Sequence, residues 1–208
     1  MHASLDIHTK GIGTSPLRSA SNTKEVIERI RTETGIEVTV ISGDEEAQYI
    51  YHGVRSAVEL GHEKSLIMDI GGGSVEFIIA DEEKIFWKQS FDIGAQRLLE
   101  QYQINDPILP GEIKALEAHF EKALAPLHEA FNKFKPLALV GSSGTFDTLS
   151  EIYCINYAID ITAEGAETPL AILDFFEIHK DLTSKNRQER LKIPGMIEMR
   201  VDMIVVAS

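Results

Sequence analysis

The sequence predicts an α/β protein, because short apolar strands alternate with amphipathic helices along most of its length. With 208 residues and a hydrophobic content of 43%, the chain can bury a sizeable core as one large or two small domains. The alternation contains no repeat and no low-complexity tract. It therefore favours a layered arrangement of sheet and helices over an all-helical fold.

Helices and strands of the first half follow from their capping and turn residues. Asn22, with Glu25 three residues on, is expected to cap a helix that Gly35 ends, and "IEVTVIS" follows as a β-branched strand. The segment "GDEEAQYIYHGVRSAVELG" predicts a second helix, which Gly61 is expected to stop. Three strands joined by short turns are then predicted in "SLIMDI", "VEFIIA" and "KIFWKQSFDI".

The second half is predicted to be mainly helical. The helical pattern from Gly94 to Phe134 breaks at "NDPILPGE", and Pro110 is expected to begin the longer helix after the break. A further apolar strand is predicted in "PLALVG", and the sequence after "SSGTFDTLSEIY" is expected to be helical.

Charge and cysteine content restrict the classes of partner. The formal net charge of −13 argues against general affinity for nucleic acids or anionic membranes, since both require basic surface. The single cysteine, Cys154, fits a reducing compartment and is expected to be a buried, inert thiol. No apolar run approaches the roughly 20 residues of a membrane span, and the first residues lack the apolar centre of a signal peptide. The sequence thus predicts a cytoplasmic protein.

Three consecutive glycines lie between two of the predicted strands, in "SLIMDIGGGSVEFII". If Gly71–Ser74 form a hairpin loop, Asp69 faces Glu76 and both carboxylates point to the same side of the sheet. Such a pair is tolerated if one acid is protonated, if solvent screens both, or if a cation such as magnesium lies between them. The glycine N–H groups can surround a phosphate. An ordinary glycine-rich turn with solvated acids is the alternative.

A second glycine turn, in "LALVGSSGTFDTLSE", joins a predicted strand to a helix expected to begin near Thr145. The N-terminus of a helix presents free N–H groups and a partial positive charge, which favour bound anions. A plain strand-to-helix connection with a serine cap would explain this turn alone. Two such turns in one chain predict two phosphate-binding loops facing a cleft.

A third motif, "VISGDEEAQYIYHGV", contains adjacent glutamates with different expected roles. Ser42 and Glu45 can form a capping box, which leaves Glu46 without a structural role. Glu46 is a candidate general base that removes a proton from water attacking a phosphorus atom. It could equally be a first-turn acid favoured by the helix dipole.

These motifs, in this order and at these separations, resemble the exopolyphosphatase and guanosine pentaphosphate phosphohydrolase family. "GTSPLRSASN" and "PGMIEMRVDMIVVA" also fit its pattern, so the resemblance runs from Gly13 to Ala207. The family belongs to the superfamily of actin, sugar kinases and Hsp70, which implies a ribonuclease-H-like lobe with a mixed sheet flanked by helices. The aspartate-bearing strand and glycine-serine-asparagine turn that open the family's first lobe are missing before Arg18. Residues 1–35 are therefore expected to be a remnant of the first lobe with a linking helix, and residues 36–208 the second lobe.

The resemblance also implies roles for individual residues. Glu46 would be the catalytic base, Asp69 and Glu76 would help bind magnesium, and Arg18 would meet substrate phosphates. The two phosphate-binding loops would comprise Gly71, Gly72, Gly73, Ser74, Gly141, Ser142, Ser143, Gly144 and Thr145. Arg97, and Arg200 with Asp202, are further candidates that a helix-end position or an internal ion pair would explain as well.

The function that the resemblance implies is magnesium-dependent hydrolysis of terminal phosphoanhydride bonds, with release of orthophosphate. The expected substrates are inorganic polyphosphate and guanosine pentaphosphate. Long polyphosphate would need a local basic track, for which Arg18 and Lys24 are candidates, because the overall charge repels it. A non-catalytic lobe that binds a nucleotide or alarmone, and an ATP-dependent kinase of the same superfamily, are the alternatives. A homodimer is a further expectation, since dimers are common in the family.

Overall fold

Two β-sheets form the framework of the protein. The structure, a computed structural model, describes residues 9–159, 167–168 and 170–208. The predicted first-lobe remnant over residues 1–8 and the predicted helical structure over residues 160–166 and 169 lie outside the described residues. The strands are β1 (Lys10–Gly13), β2 (Glu37–Val40), β3 (Ser65–Ile70), β4 (Val75–Ala80), β5 (Ile85–Phe91) and β6 (Ala138–Ser142).

The larger sheet has the strand order β5-β4-β3-β6. Strands β3, β4 and β5 form an antiparallel meander, whereas β6 pairs with β3 in parallel. Every residue of β4 is buried, which places this strand at the centre of the molecule. The mixed sheet flanked by helices confirms the predicted α/β class.

The helices lie mostly where the sequence predicts them. Two predicted ends are confirmed: Gly35, with a φ of 72°, terminates α2, and Pro110 begins α5. A short 3₁₀ turn, Glu198–Arg200, precedes α10. The helices are α1 (Ser15–Ser19), α2 (Thr23–Thr34), α3 (Gly43–Ala57), α4 (Ala95–Tyr102), α5 (Pro110–Ala123), α6 (Ala125–Phe134), α7 (Gly144–Asn156), α8 (Ile172–Ser184), α9 (Arg187–Arg190) and α10 (Ile204–Ala207).

Two details of the predicted helices are wrong. The side chain of Asn22 makes no capping hydrogen bond, because its backbone (φ −103°, ψ 20°) is not in the extended conformation that directs a cap toward the first turn. Helix α3 ends at Ala57, four residues before Gly61, because Val58 adopts an extended backbone. This change of direction buries Leu60 against the sheet.

The core is divided between the two faces of the larger sheet. One cluster contains residues of α3, of the loop that follows it and of the sheet: Ala47, Tyr51, Val54, Leu60, Ile67, Ile78 and Ala80. The other cluster is larger and joins the opposite sheet face to α4, α7, α8 and α10, with Phe77, Leu98, Leu149, Leu182 and Ile204 among its members. Cys154 is a free, buried thiol, as predicted. Within the described ranges, no helix combines the length and the apolar composition needed to cross a membrane.

The small sheet connects the N-terminal segment to the rest of the chain. Strands β1 and β2 pair in parallel, and Ile41 N–H donates to the carbonyl of Gly13 just beyond them. These two strands lie on opposite sides of the predicted domain boundary between residues 35 and 36, and the boundary stays a prediction. The pairing brings α1, which carries Arg18, to the start of α3.

Candidate active site

The N-terminus of α3 fixes the position of Glu46. Ser42 Oγ accepts a hydrogen bond from Glu45 N–H at 3.2 Å, and Glu45 Oε2 accepts one from Ser42 N–H at 2.8 Å. This capping box confirms the structural role predicted for Glu45. Glu46 takes no part in the cap and points instead to α1.

Glu46 pairs with Arg18, the residue expected to meet substrate phosphates. Arg18 Nη1 donates to Glu46 Oε2 at 2.7 Å and to the carbonyl of Ile41 at 3.1 Å. The two side chains are 22% and 18% exposed, so the ion pair is partly shielded from water but still accessible. The sequence motifs identified both residues without indicating that they touch.

Asp69 and Glu76 lie opposite each other in the β3–β4 ladder, as predicted. Glu76 is only 1% exposed. Its Oε1 accepts hydrogen bonds from Ser74 Oγ at 2.7 Å and from Ser90 Oγ at 2.6 Å. Two hydroxyl donors therefore compensate part of the cost of burying this carboxylate.

Burial and neighbouring charges raise the pKa of both acids. Burial raises the pKa of Asp69, a hydrogen bond from Ser142 opposes the shift, and the charges of Glu46 and Asp147 add to it. Burial also raises the pKa of Glu76, against the hydrogen bonds from Ser90 and Ser74, and the charges of Glu46 and Asp69 contribute further. The charge of Glu46 thus acts on both Asp69 and Glu76, and the charge of Asp69 acts on Glu76.

The pair Asp69 and Glu76 has the donor chemistry that magnesium prefers. Magnesium in proteins is commonly held by one or two carboxylates and completed by water and phosphate oxygens. The described residues contain no group of three or more His, Cys, Asp or Glu side chains arranged to hold a metal ion. The two acids fit a magnesium ion shared with a phosphate substrate, and do not fit a closed all-protein cage.

The first glycine loop, Gly71–Ser74, is a tight connection packed between other backbone segments. Gly71 N–H donates to the carbonyl of Ser74 at 3.0 Å and closes the turn. A Cβ at Gly73 would lie 2.5 Å from Ser15 Oγ, and a Cβ at Gly94 would lie 2.4 Å from the backbone of Gly73 and Ser74. The backbone of the loop therefore leaves room only for glycine at position 94, whereas a Cβ at Gly73 would require the Ser15 side chain to move.

The second loop, Gly141–Thr145, connects β6 to α7. Helix α7 begins at Gly144, one residue before the predicted start. Ser143 has φ 74° and ψ 173°, a conformation that is normally restricted to glycine, and its Oγ lies 3.3 Å from the carbonyl of Ile70. Since β6 pairs with β3, Ser142 lies opposite Asp69 and the two loops are neighbours.

The additional arginine candidates have distinct surroundings. Arg200 lies against the second loop, since a Cβ at Gly144 would be 1.6 Å from its Nη2. Asp202 pairs with Arg187 at 3.2 Å and lies 3.6 Å from Arg190, so the internal ion pair suggested as an alternative is found for Asp202, with these two arginines as its partners. Arg97 contacts the first loop directly.

Several residues of the site had not been identified from the sequence. Ser90 and Ser15 are ordinary serines in the sequence, and only the β4–β5 register and the packing of α1 bring them to the site. A polar residue inside an apolar strand was the available signal for Ser90.

A wide cavity adjoins the second glycine loop, since Gly141 and Asp147 are among its lining residues. It has a volume of about 1,150 Å³, and its lining includes the apolar residues Met68, Phe77, Leu139 and Phe175. Glu46, Asp69 and Glu76 do not line it. The three carboxylates therefore lie outside this cavity, with Asp69 near the end of β3 and Glu76 near the start of β4.

Comparisons with known proteins agree with this architecture. A solved exopolyphosphatase from Cytophaga hutchinsonii is 43% identical with a TM-score of 0.89, and the match covers 97% of this chain and 65% of that one. The solved Ppx-GppA enzyme of Aquifex aeolicus is 25% identical with a TM-score of 0.75, covering 95% and 64% of the two chains. Both structures support the predicted actin-like fold.

Curated sequences give the same relationship. A guanosine-5'-triphosphate,3'-diphosphate pyrophosphatase of Photobacterium profundum is 30% identical over 185 residues, and one of Aliivibrio fischeri is 29% identical over the same length. These matches cover 89% of this chain but only 35% of each relative, so the chain spans about a third of their length. The family model described as the Ppx/GppA phosphatase family matches residues 8–208. The chain is therefore a member of the Ppx/GppA phosphatase family.

Proposed function

We propose that this chain carries a phosphohydrolase site that cleaves terminal phosphoanhydride bonds and releases orthophosphate. Inorganic polyphosphate and guanosine pentaphosphate are the proposed substrates, and magnesium is the proposed cofactor. The observation that carries the proposal is that the Arg18–Glu46 pair, Asp69 and Glu76 lie close together beside two glycine loops. Ser90, which donates to Glu76, packs against Gly43 next to the Arg18 guanidinium. The choice of substrates is supported by the names of the relatives, an exopolyphosphatase and guanosine-5'-triphosphate,3'-diphosphate pyrophosphatases.

Glu46 is the proposed general base. In the absence of substrate its carboxylate is held by Arg18. A substrate phosphate that binds the Arg18 guanidinium would compete for this contact and leave Glu46 available to accept a proton from water. The water oxygen then attacks the terminal phosphorus, and the bond to the bridging oxygen breaks. Orthophosphate leaves, and the proton remains on Glu46 until it returns to solvent.

The two glycine loops would stabilise charge on the phosphate oxygens. The N-terminus of α7, a helix of 13 residues, presents backbone N–H groups at Gly144 and Thr145. Backbone donors that are already positioned need no reorganisation when charge develops in the transition state. Packing of Gly73 against Ser15 and of Gly94 against the loop keeps the first loop in one arrangement.

Asp69 and Glu76 would hold magnesium where β3 ends and β4 begins. The ion, when bound, neutralises negative charge on phosphate oxygens and stabilises the transition state electrostatically. Ser74 and Ser90 orient Glu76 by donating hydrogen bonds to its Oε1, and Ser142 lies opposite Asp69 in the β3–β6 ladder. Without a cation, burial of these acids beside Glu46 is unfavourable, as the raised pKa of each shows.

The test is phosphate release by the purified chain from long polyphosphate and from guanosine pentaphosphate, with magnesium and after its removal by chelation. We expect release from at least one substrate that is lost without magnesium. ATP consumption that depends on a phosphoryl acceptor would instead indicate a kinase. Binding of guanosine tetraphosphate with no release from either substrate would contradict the proposal and favour the non-catalytic binding lobe.

A further inference from the structure

The first turn of α4 is built directly onto the first glycine loop. Ala95 N–H donates to the carbonyl of Gly71 at 2.9 Å, and Gln96 N–H donates to the carbonyl of Gly72 at 2.9 Å. These bonds use the free N–H groups of a helix N-terminus, which would otherwise need other partners. The loop is therefore fixed from the side of α4.

The side chain of Arg97 extends this connection to α1. Its Nε donates to the carbonyl of Gly73 at 3.1 Å, and its Nη2 lies 3.4 Å from Ser19 Oγ. Ser19 directly follows Arg18, the partner of Glu46. The Arg97 guanidinium thus contacts both the first glycine loop and α1, the helix whose Arg18 pairs with the proposed general base.

The contact to the Gly73 carbonyl fixes the direction of a neighbouring donor. A trans peptide group is planar, so its C=O and N–H point in opposite directions. When Arg97 holds the carbonyl of Gly73, the N–H of Ser74 must point away from Arg97. The orientation of a loop donor therefore depends on this side chain.

A simple surface ion pair does not account for the position of Arg97. Its acidic neighbour, Asp92, lies 3.5 Å from Nη2 and is 78% exposed, and such pairs contribute little to stability. Arg97 itself is 33% exposed, and its Nε donates to backbone. A planar guanidinium with several donors can contact two segments at once, whereas a lysine ammonium acts from a single point.

We propose that Arg97 is a positioning residue that holds the first glycine loop and the Arg18-bearing helix α1 in register. It acts through Gly73 and Ser19, and not as a ligand of the substrate. The part of this inference that concerns kcat and KM rests on the proposed function. The part that concerns the order of the loop and α1 is measured by amide hydrogen exchange and does not depend on that function.

The activity test compares Arg97→Ala, Arg97→Lys and the control Asp92→Asn. We expect Arg97→Ala to lower kcat by about 100-fold with a smaller change in KM, since a loop displaced by about 1 Å misaligns the reacting groups. Arg97→Lys should remain at least about 10-fold below the wild type, and Asp92→Asn should stay within about twofold. A raised KM with unchanged kcat, or full recovery with lysine, would show a charge that binds substrate directly and would overturn the inference.

A double variant tests the connection through α1. If Arg97 acts partly through Ser19, the loss in Arg97→Ala/Ser19→Ala should be no greater than in Arg97→Ala alone. Full additivity of the two losses would contradict the proposed contact.

Amide hydrogen exchange provides the readout that does not require activity. Arg97→Ala should raise exchange in the segments 71–74 and 15–19, whereas Asp92→Asn should leave both unchanged. Unchanged exchange in Arg97→Ala would overturn the inference. A wild-type chain that releases no phosphate would overturn the proposed function, and the exchange result would still decide the role of Arg97.

Discussion

Arg18 donates a 2.7 Å hydrogen bond to Glu46 across 28 positions of sequence. The pair joins α1 to the first turn of α3, and the pairing of β1 with β2 brings these helices together. In the proposed reaction Arg18 holds Glu46 until a substrate phosphate takes the place of the Glu46 carboxylate on the guanidinium. The connection makes α1 part of the site.

Replacement of Arg18 should affect both stability and catalysis. Arg18→Ala leaves the partly buried Glu46 without a partner, so we expect a loss of about 1–3 kcal/mol in the free energy of unfolding. The same change should lower kcat/KM by about 100-fold, because a phosphate donor is removed. Denaturant unfolding and steady-state kinetics measure the two effects. Arg29→Ala, which breaks an exposed pair on α2, is the matched control and should change neither.

The close contact at Gly94 predicts a large effect of a single methyl group. In Gly94→Ala the new Cβ would overlap the backbone of Gly73 and Ser74, so the loop must shift. We expect a loss of about 1–3 kcal/mol in unfolding free energy and a strong loss of activity. Gly53→Ala is the control, since a Cβ there meets nothing within 4 Å. It should stabilise α3 by about 0.5–1 kcal/mol, and equal behaviour of the two variants would contradict the loop packing.

Ser143 has a backbone conformation that costs stability in any residue except glycine. Ser143→Gly should raise the free energy of unfolding by about 1 kcal/mol, because relief of the strain at φ 74° and ψ 173° outweighs the loss of the 3.3 Å hydrogen bond to the carbonyl of Ile70. Ser143→Ala keeps the strain and loses the hydrogen bond to the carbonyl of Ile70, so it should be less stable than the wild type. Thermal unfolding of the three proteins tests the predicted order of stability, in which the glycine variant is the most stable and the alanine variant the least. A glycine variant below the wild type would contradict it.

We expect buried Glu76 to make the free energy of unfolding of the metal-free protein depend on pH. Because burial raises its pKa in the folded state, protonated Glu76 contributes stability that is complete below its unfolded-state pKa. That contribution is lost as the pH rises through the folded-state pKa. Relative to Glu76→Gln, the wild type should therefore become less stable from about pH 4 toward neutrality.

Glu112 provides the opposite control for this experiment. Hydrogen bonds from the backbone of Leu109 and the 104–105 turn lower its pKa, so its contribution is present above its unfolded-state pKa and is lost as the pH falls. Urea unfolding with chelator at a series of pH values gives the difference in unfolding free energy between the wild type and each variant. This difference should change with pH in opposite directions for Glu76→Gln and Glu112→Gln. The same direction for both would show that burial does not control Glu76.

Sequence patterns predicted the parts of this site better than their connections. The β3–β4 register was predictable, since a short loop between apolar strands permits few alignments, and it places Asp69 opposite Glu76. The capping box at Ser42 was predictable because its partners are three residues apart. By contrast, the Arg18–Glu46 pair and the contact of Arg97 with Ser19 depend on packing between elements far apart in sequence. Local patterns contain no information on such contacts.

The end of α3 shows the same limit. Gly61 is a typical stop signal and has a φ of 67°, yet the helix ends at Ala57 because Leu60 is buried against the sheet. Tertiary burial therefore overrides a local terminator. The actual start of α7 at Gly144 differs from the prediction by one residue, within the usual uncertainty of a helix boundary.

The most direct test of the proposed mechanism compares two adjacent glutamates. Glu46→Gln removes the proposed base, whereas Glu45→Gln changes the neighbouring residue of the capping box and retains an oxygen for the cap. We predict that magnesium-dependent phosphate release falls by about 100- to 10,000-fold in Glu46→Gln and is nearly unchanged in Glu45→Gln. Turnover by Glu46→Gln at the wild-type rate would contradict the assignment of Glu46 as the general base.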